Sequence, residues 1–157
     1  MRDKIDTVVG RFLALLMFIM TLDVLWGVFT RYAVGNQASW SEELARFLLI
    51  WIGILGAAYA SGQRIHLAID LLSPKLAPDA QRRLDLVIRL LVIFFAVTVL
   101  IIGGLRLIYI SQKLGQLSPA LQIPMWVVYA VIPLSGFLVL YYKLSEKFQP
   151  TNEQATA

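Results

Sequence analysis

The sequence predicts an all-α integral membrane protein: four transmembrane helices, a short amphipathic helix on the cytoplasmic-side interface between the second and third, and both termini in the cytoplasm. Of the 157 residues, 59% are apolar and only 15% charged. Water-soluble domains carry roughly 25% charged residues, so this chain owns too little polar surface to cover a soluble core. The apolar residues also cluster, in runs over residues 8–32, 44–61, 86–109 and 125–142. Each run meets or approaches the roughly 20 residues a helix needs to cross about 30 Å of hydrocarbon.

The first span, approximately 8–30, follows a polar lead and contains Arg11 and Asp23. Its apolar core is longer than the 7 to 15 residues typical of a signal peptide, and no small-x-small site precedes Arg31, so it is expected to be retained. Trp26 and Tyr32 fall near its outer end, at headgroup level. Asn36, Gln37 and Ser39, with Gly35, make a polar turn. The second span, approximately 44–63, is the shortest. Ser39 or Ser41 can cap it, and Glu42 and Glu43 lie in its first turn, near the positive end of the helix dipole. Glu42 and Arg46 are four apart and can pair, and Trp40 suits the interfacial layer.

After the second span, His66 and Asp70 stand four apart, while Ile65, Ile69 and Leu72 make an apolar stripe. That pattern predicts the interfacial helix, limited by Pro74 and Pro78. The third span, approximately 86–109, has Arg89 and Arg106 near its ends. The connection over 113–124 is too apolar for a freely solvated linker and is expected to fold back against the bundle or a partner. The fourth span, approximately 125–143, opens after Pro124. One membrane domain thus covers 1–148, and residues 149–157 form a flexible polar tail.

With the N-terminus inside, the cytoplasmic side carries Arg2, Lys4, Arg11, Arg64, Lys75, Arg82, Arg83, Arg89, Lys143 and Lys147, against Arg31, Arg46, Arg106 and Lys113 outside. This ten-to-four division follows the positive-inside tendency. The net charge of +4 belongs to these flanking positions rather than to a basic groove, so no nucleic-acid partner is expected. The chain has no cysteine and one histidine, which excludes disulfides, thiolate sites and a self-contained bis-histidine haem. No nucleophile elbow or phosphate loop is present. Neither enzymatic activity nor a metal or cofactor is expected.

Asp23 is the most informative isolated charge, because a mid-membrane carboxylate costs on the order of 2.5–3.5 kcal/mol on an insertion scale. It is expected to lie near the outer headgroups or to pair with Arg31 or Arg46, the alternatives being a contact with another membrane subunit or a part in ion or proton translocation. Glu42, Glu43 and Arg46 suit capping or an outer-face partner contact. Arg64, His66 and Asp70 suit interfacial anchoring. Gly53 with Ala57, and Gly56 with Ala60, repeat small residues at four-residue spacing, which permits close helix approach. Internal packing is their simpler use, and an interface with a separate membrane protein is the alternative.

Three segments carry a family resemblance. They are Trp40-Ser-Glu-Glu-Leu-Ala-Arg46 followed by Trp51 and Gly56-Ala57, then Arg64-Ile-His-Leu-Ala-Ile-Asp70, then Ser118-Pro-Ala-Leu-Gln-Ile-Pro124 with Tyr129 and Pro133. Their order across four spans resembles the small membrane subunit (DctQ-like, Q) of tripartite ATP-independent periplasmic, or TRAP, transporters, over about residues 8–146. The resemblance implies a bacterial inner-membrane protein that braces the scaffold of a large DctM-like elevator-type permease subunit. That complex would use an ion gradient, usually sodium, to take up a small organic acid delivered by a periplasmic substrate-binding protein. By the same resemblance, Glu42, Glu43 and Arg46 are outer-edge scaffold or docking positions, His66 and Asp70 inner interfacial anchors, and Ser118, Pro119 and Pro124 part of an outer connection. The competing readings are a self-contained oligomeric small carrier coupled through Asp23 and a membrane anchor of a redox complex.

Overall fold

Four helices long and apolar enough to cross a bilayer form in the computed structural model: Lys4–Ala33, Ser39–Gly62, Leu86–Lys113 and Met125–Ser145. The structure describes residues 2–33, 35–36, 38–62 and 78–145. The elements are α1 (Arg2–Ala33), α2 (Ser39–Gly62), α3 (Pro78–Phe95), a π-helical segment (Ala96–Gly103), α4 (Gly104–Lys113), α5 (Met125–Tyr129) and α6 (Val131–Ser145). The expected interfacial helix with Arg64, His66 and Asp70, and the tail at 149–157, lie outside the described residues.

The spans are not arranged in chain order. α1 packs chiefly on α2, α2 on α6, and α6 on the π segment, so the fourth span sits between the second and the third. The consequence shows in burial. Of the most apolar stretch of each span, 39% is buried in the fourth but only 17% in the first and 6% in the third. The first and third spans are therefore the flanks of the bundle, and most of their apolar surface faces outward.

Lipid tails are as apolar as leucine, so helices in a bilayer gain little from hydrophobic burial and associate through close contact. The core accordingly uses small and β-branched residues. Ala58, Ala96 and Val139 form its centre, with Val92, Leu100, Leu138 and Leu140 packed around it. The second and fourth spans meet at Gly62, where a Cβ would lie 2.6 Å from the Tyr142 ring, and the third and fourth spans meet at a second close junction. A Cβ at Gly136 would lie 2.8 Å from Ile101 Cγ1 and 2.9 Å from Leu100 Cβ, and one at Gly104 would lie 2.8 Å from Pro133 Cδ. Glycine is required at this junction because any side chain would push the helices apart.

Both helices at the junction depart from α geometry. The third span widens into the π segment, where the Thr98 hydroxyl donates to the Phe94 carbonyl at 2.7 Å. The fourth, expected as one helix, breaks at Ala130. Pro133 has no N–H to offer the preceding turn, and the ladder resumes with the Leu134 N–H to the Ala130 carbonyl at a long 3.4 Å.

The four-spaced small residues Gly53, Gly56, Ala57 and Ala60 of α2 lie off the packed face that Ala58 and Gly62 occupy. Gly53, Ala57 and Ala60 are exposed and Gly56 is half-buried. A Cβ at Gly53 or Gly56 would meet nothing within 4 Å. The reason is register: α2 buries Ser41, Glu43, Leu55, Ala58 and Gly62, which turns the Gly53 side of the helix away from its neighbours.

These contacts predict opposite outcomes for two glycine-to-alanine changes. Gly136→Ala lowers stability by about 1–3 kcal/mol through overpacking, whereas Gly53→Ala leaves it unchanged or raises it by up to about 1 kcal/mol. Thermal unfolding of the purified chain in detergent checks the pair, and equal effects would contradict the packing.

Candidate functional site

Asp23, Ser41, Glu43, Ser111 and Ser118 are buried polar groups at one end of the bundle, where α1 turns into α2 and α4 connects to α5. Two side chains, Asp23 and Glu43, organise that end, and both belong to or contact the N-terminal part of α2.

Glu43 is 8% exposed. Its Oε2 accepts the backbone N–H of Ala120 at 2.9 Å and of Leu121 at 2.8 Å, across 77 and 78 residues of sequence. A carboxylate acceptor makes such bonds worth about 1.5–3 kcal/mol each. Glu43 thus clasps the connection onto α2. The adjacent Glu42 points elsewhere, since successive helix residues are about 100° apart. It pairs with Arg46 at 3.4 Å, with both side chains about two-thirds exposed, an arrangement worth about 0–1 kcal/mol.

The clasped connection is itself closed by backbone bonds. α4 ends on Gly115 at φ 58°, with the Gly115 N–H on the Gln112 carbonyl and the Gln116 N–H on the Ser111 carbonyl, a Schellman arrangement. The Met125 N–H then bonds the Gln116 carbonyl at 2.9 Å, and the Ser118 N–H bonds the Ile123 carbonyl at 2.9 Å. Ser118 is fully buried, and its hydroxyl accepts the Ile123 N–H at 3.4 Å. Gln122 takes a left-handed φ of 54° and caps the turn with its amide on the Pro119 carbonyl at 3.1 Å. Pro119, Ala120, Gln122 and Pro124 remain exposed. The expectation that this segment folds back onto the bundle is therefore met, through Glu43.

Asp23 is 6% exposed and joins α1 to α2. The Ser41 hydroxyl reaches its Oδ1 at 2.9 Å and its carbonyl oxygen at 3.1 Å, and Oδ2 is buried without a hydrogen-bond partner. This corrects the expected pairing with Arg31 or Arg46. Asp23 faces α2 at the level of Ser41, and Arg46 is turned outward to Glu42. It also corrects the expected use of Ser41 as a cap, because its hydroxyl is directed to α1 instead.

Trp40 stands 43% exposed. Trp51 is half-buried and meets Phe12 of α1 edge-on, with ring centroids 6.5 Å apart. Among the described residues no group of three or more histidine, cysteine or acidic side chains could hold a metal ion.

Sequence reasoning did not find the Ser41 bond to Asp23 or the Ala120 and Leu121 amides as partners of Glu43. The available signal was an apolar connection whose side chains offer its own amides few acceptors.

The chain matches the family model described as "Tripartite ATP-independent periplasmic transporters, DctQ component" over residues 8–150. It is similar to the isethionate TRAP transporter permease protein DctMQ of Oleidesulfovibrio alaskensis, at 33% identity over 76% of this chain and 19% of the relative. It is similar to the C4-dicarboxylate TRAP transporter small permease protein DctQ of Rhodobacter capsulatus, at 31% over 73% of this chain and 50% of the relative. It is also similar to the ectoine TRAP transporter small permease protein TeaB of Halomonas elongata, at 30% over 86% of this chain and 71% of the relative. The chain thus spans about half or less of the length of the first two.

The clasp predicts that Glu43→Ala removes hydrogen-exchange protection at the Ala120 and Leu121 amides and lowers stability by roughly 3 kcal/mol. Glu43→Gln, which keeps an acceptor oxygen, retains part of both. Arg46→Gln shifts stability by no more than about 1 kcal/mol. Exchange followed by mass spectrometry, with thermal unfolding, reads all three.

Proposed function

The chain belongs to the DctQ-component family of the tripartite ATP-independent periplasmic transporters, and from that membership we propose that it braces the scaffold of a large elevator-type permease subunit in the bacterial inner membrane. It is a multi-pass, noncatalytic small permease component and not an enzyme. In the proposed assembly both termini are cytoplasmic, which makes the Glu43-clasped end periplasmic. That end contributes to the surface on which a periplasmic substrate-binding protein docks, during sodium-driven uptake of a small organic acid.

The observation that carries this reading is the clasp. The buried polar side chains Glu43 and Ser118 fix the shape of one end surface, presenting Pro119, Ala120 and Gln122, rather than lining a passage through the bundle. The breadth of its relatives supports placing specificity elsewhere. They are named for isethionate, C4-dicarboxylates and ectoine, yet each is 30–33% identical to this chain. A relative in which the matched region is 19% of one longer permease protein supports a large membrane partner. The flank spans and the open Gly53 to Ala60 face of α2 supply surfaces for it, and Asp23, Glu42, Arg46 and Trp51 remain interface candidates.

Copurification under mild extraction tests the assembly, with a much larger polytopic protein expected and uptake lost when this chain is deleted. Glu43→Ala is expected to reduce uptake while leaving copurification intact. Full uptake after deletion, together with no stable partner, would sink the proposal. Transport by vesicles holding this chain alone, abolished by Asp23→Asn, would replace it with a self-contained carrier. Reporter fusions at residues 120 and 148 check orientation and are expected to report opposite sides.

A further inference from the structure

We propose that the cleft between the end of α1 and the start of α2 binds one glycerophospholipid, with its phosphodiester on the Arg31 guanidinium and an acyl chain along Val24 and Val28. The inference requires that this face of α1 stays open to lipid when the chain stands beside its membrane partner.

The cleft follows from helix register. Val24, Gly27, Val28 and Arg31 fall at i, i+3, i+4 and i+7, one face of α1, and they stand opposite Ser41 and Glu42 on α2. Gly27 presents no side chain, which leaves a half-open space of about 160 Å³. Val24 and Val28 line it yet remain 44% and 48% exposed, so the apolar wall continues onto the membrane-facing surface of α1. A small soluble anion would gain nothing from that wall, whereas the first carbons of a lipid chain would cover it.

The charges select the headgroup. Among the described residues Arg31 has no hydrogen-bond or ion-pair partner. Glu42, the other charged residue lining the cleft, is already held by Arg46. Asp23 does not line the cleft; it is 6% exposed, with the Ser41 hydroxyl on its Oδ1. A ligand entering from the membrane therefore meets the Arg31 guanidinium, unpaired among the described residues, whose planar fork matches phosphate oxygens. The depth is also appropriate. Trp26, Tyr32 and Trp40 are 49%, 84% and 43% exposed around the same end, the placement of aromatic side chains at headgroup level.

The test is native mass spectrometry of the full chain, with any membrane partner that accompanies it, delipidated in detergent and titrated with phosphatidylglycerol. One tightly retained lipid is expected. Arg31→Gln should weaken its binding roughly fivefold, the effect of about one basic side chain at a lipid surface. Val28→Trp, which fills the cleft with the guanidinium intact, should weaken it at least as much, and it keeps the test decisive if Arg31→Gln fails to fold. Arg106→Gln, the same charge change on the third span, should have no effect. Diacylglycerol with the same chains should bind no better to wild type than to Arg31→Gln, and inorganic phosphate should not compete. Wild-type affinity in Val28→Trp, or full competition by phosphate, would overturn the lipid site. So would crosslinking of position 28 to a protein neighbour that excludes lipid.

Discussion

A backbone amide turned in against apolar helices cannot bond water, so a connection that folds back onto the bundle must find acceptors inside the protein for its inward amides. The segment between α4 and α5 meets that constraint with a single carboxylate from another helix. Glu43 accepts from two consecutive amides of a turn whose other bonds are local. Remove it, and the Ala120 and Leu121 N–H groups lose their partner while the rest of the turn, closed on Ser118, keeps its own. The clasp therefore sets where the turn lies and not whether it forms. It joins α2 to the third and fourth spans at the same end where Asp23 and Ser41 join α2 to α1. The N-terminal part of α2, from Ser41 to Glu43, is the common anchor of all four spans.

The middle of the bundle is held by different means. Between the third and fourth spans there are few polar bonds, and close contact takes over, with Gly104 against Pro133 and Gly136 against Leu100 and Ile101. The π segment and the break at Ala130 lie at this contact, one on each helix. A helix bearing Pro133 has a carbonyl without its usual donor. A neighbour that approaches to glycine distance keeps that irregular stretch covered, which is the condition under which broken helices persist in membranes. Polar bonds at the end and close packing at the middle thus divide the work of holding a bundle whose spatial order is one, two, four, three.

The four spans were legible in the sequence because length and hydropathy are local properties, and the bilayer converts them directly into helices. The folding back of the 113–124 connection was legible for a similar reason, since its apolar content is incompatible with free solvation. What was not legible depended on pairing between distant segments. Nothing near Glu43 in sequence announces amides 77 residues away, and two adjacent acids at a helix start read equally well as capping groups. Charge alone offers Asp23 the headgroup layer or an arginine, and the rotation of α1 instead sets it against a serine. The Gly53 to Ala60 spacing has the same appearance whether it faces inward or outward. Only the burial of Leu55 and Ala58 on the other side of α2 resolves the direction.

An outward-facing glycine in a helix has a physical implication of its own. Gly53 and Gly56 each cost roughly 0.5–1 kcal/mol relative to alanine in a helix interior, and among the described residues no contact offsets that cost, because a Cβ at either would meet open space. Gly104 and Gly136, by contrast, repay theirs in contact distance. A chain that spends glycine where nothing touches it, and leaves 94% of the apolar stretch of its third span unburied, is not a finished packing unit. Membership in a transporter family supplies a setting in which unfinished surfaces have a use, with the small permease component standing against a larger one. On this reasoning the rigid parts of the molecule, the Glu43 clasp and the Gly136 junction, give a fixed frame. The open parts, the α2 small-residue face and the two flank spans, are where that frame meets what surrounds it.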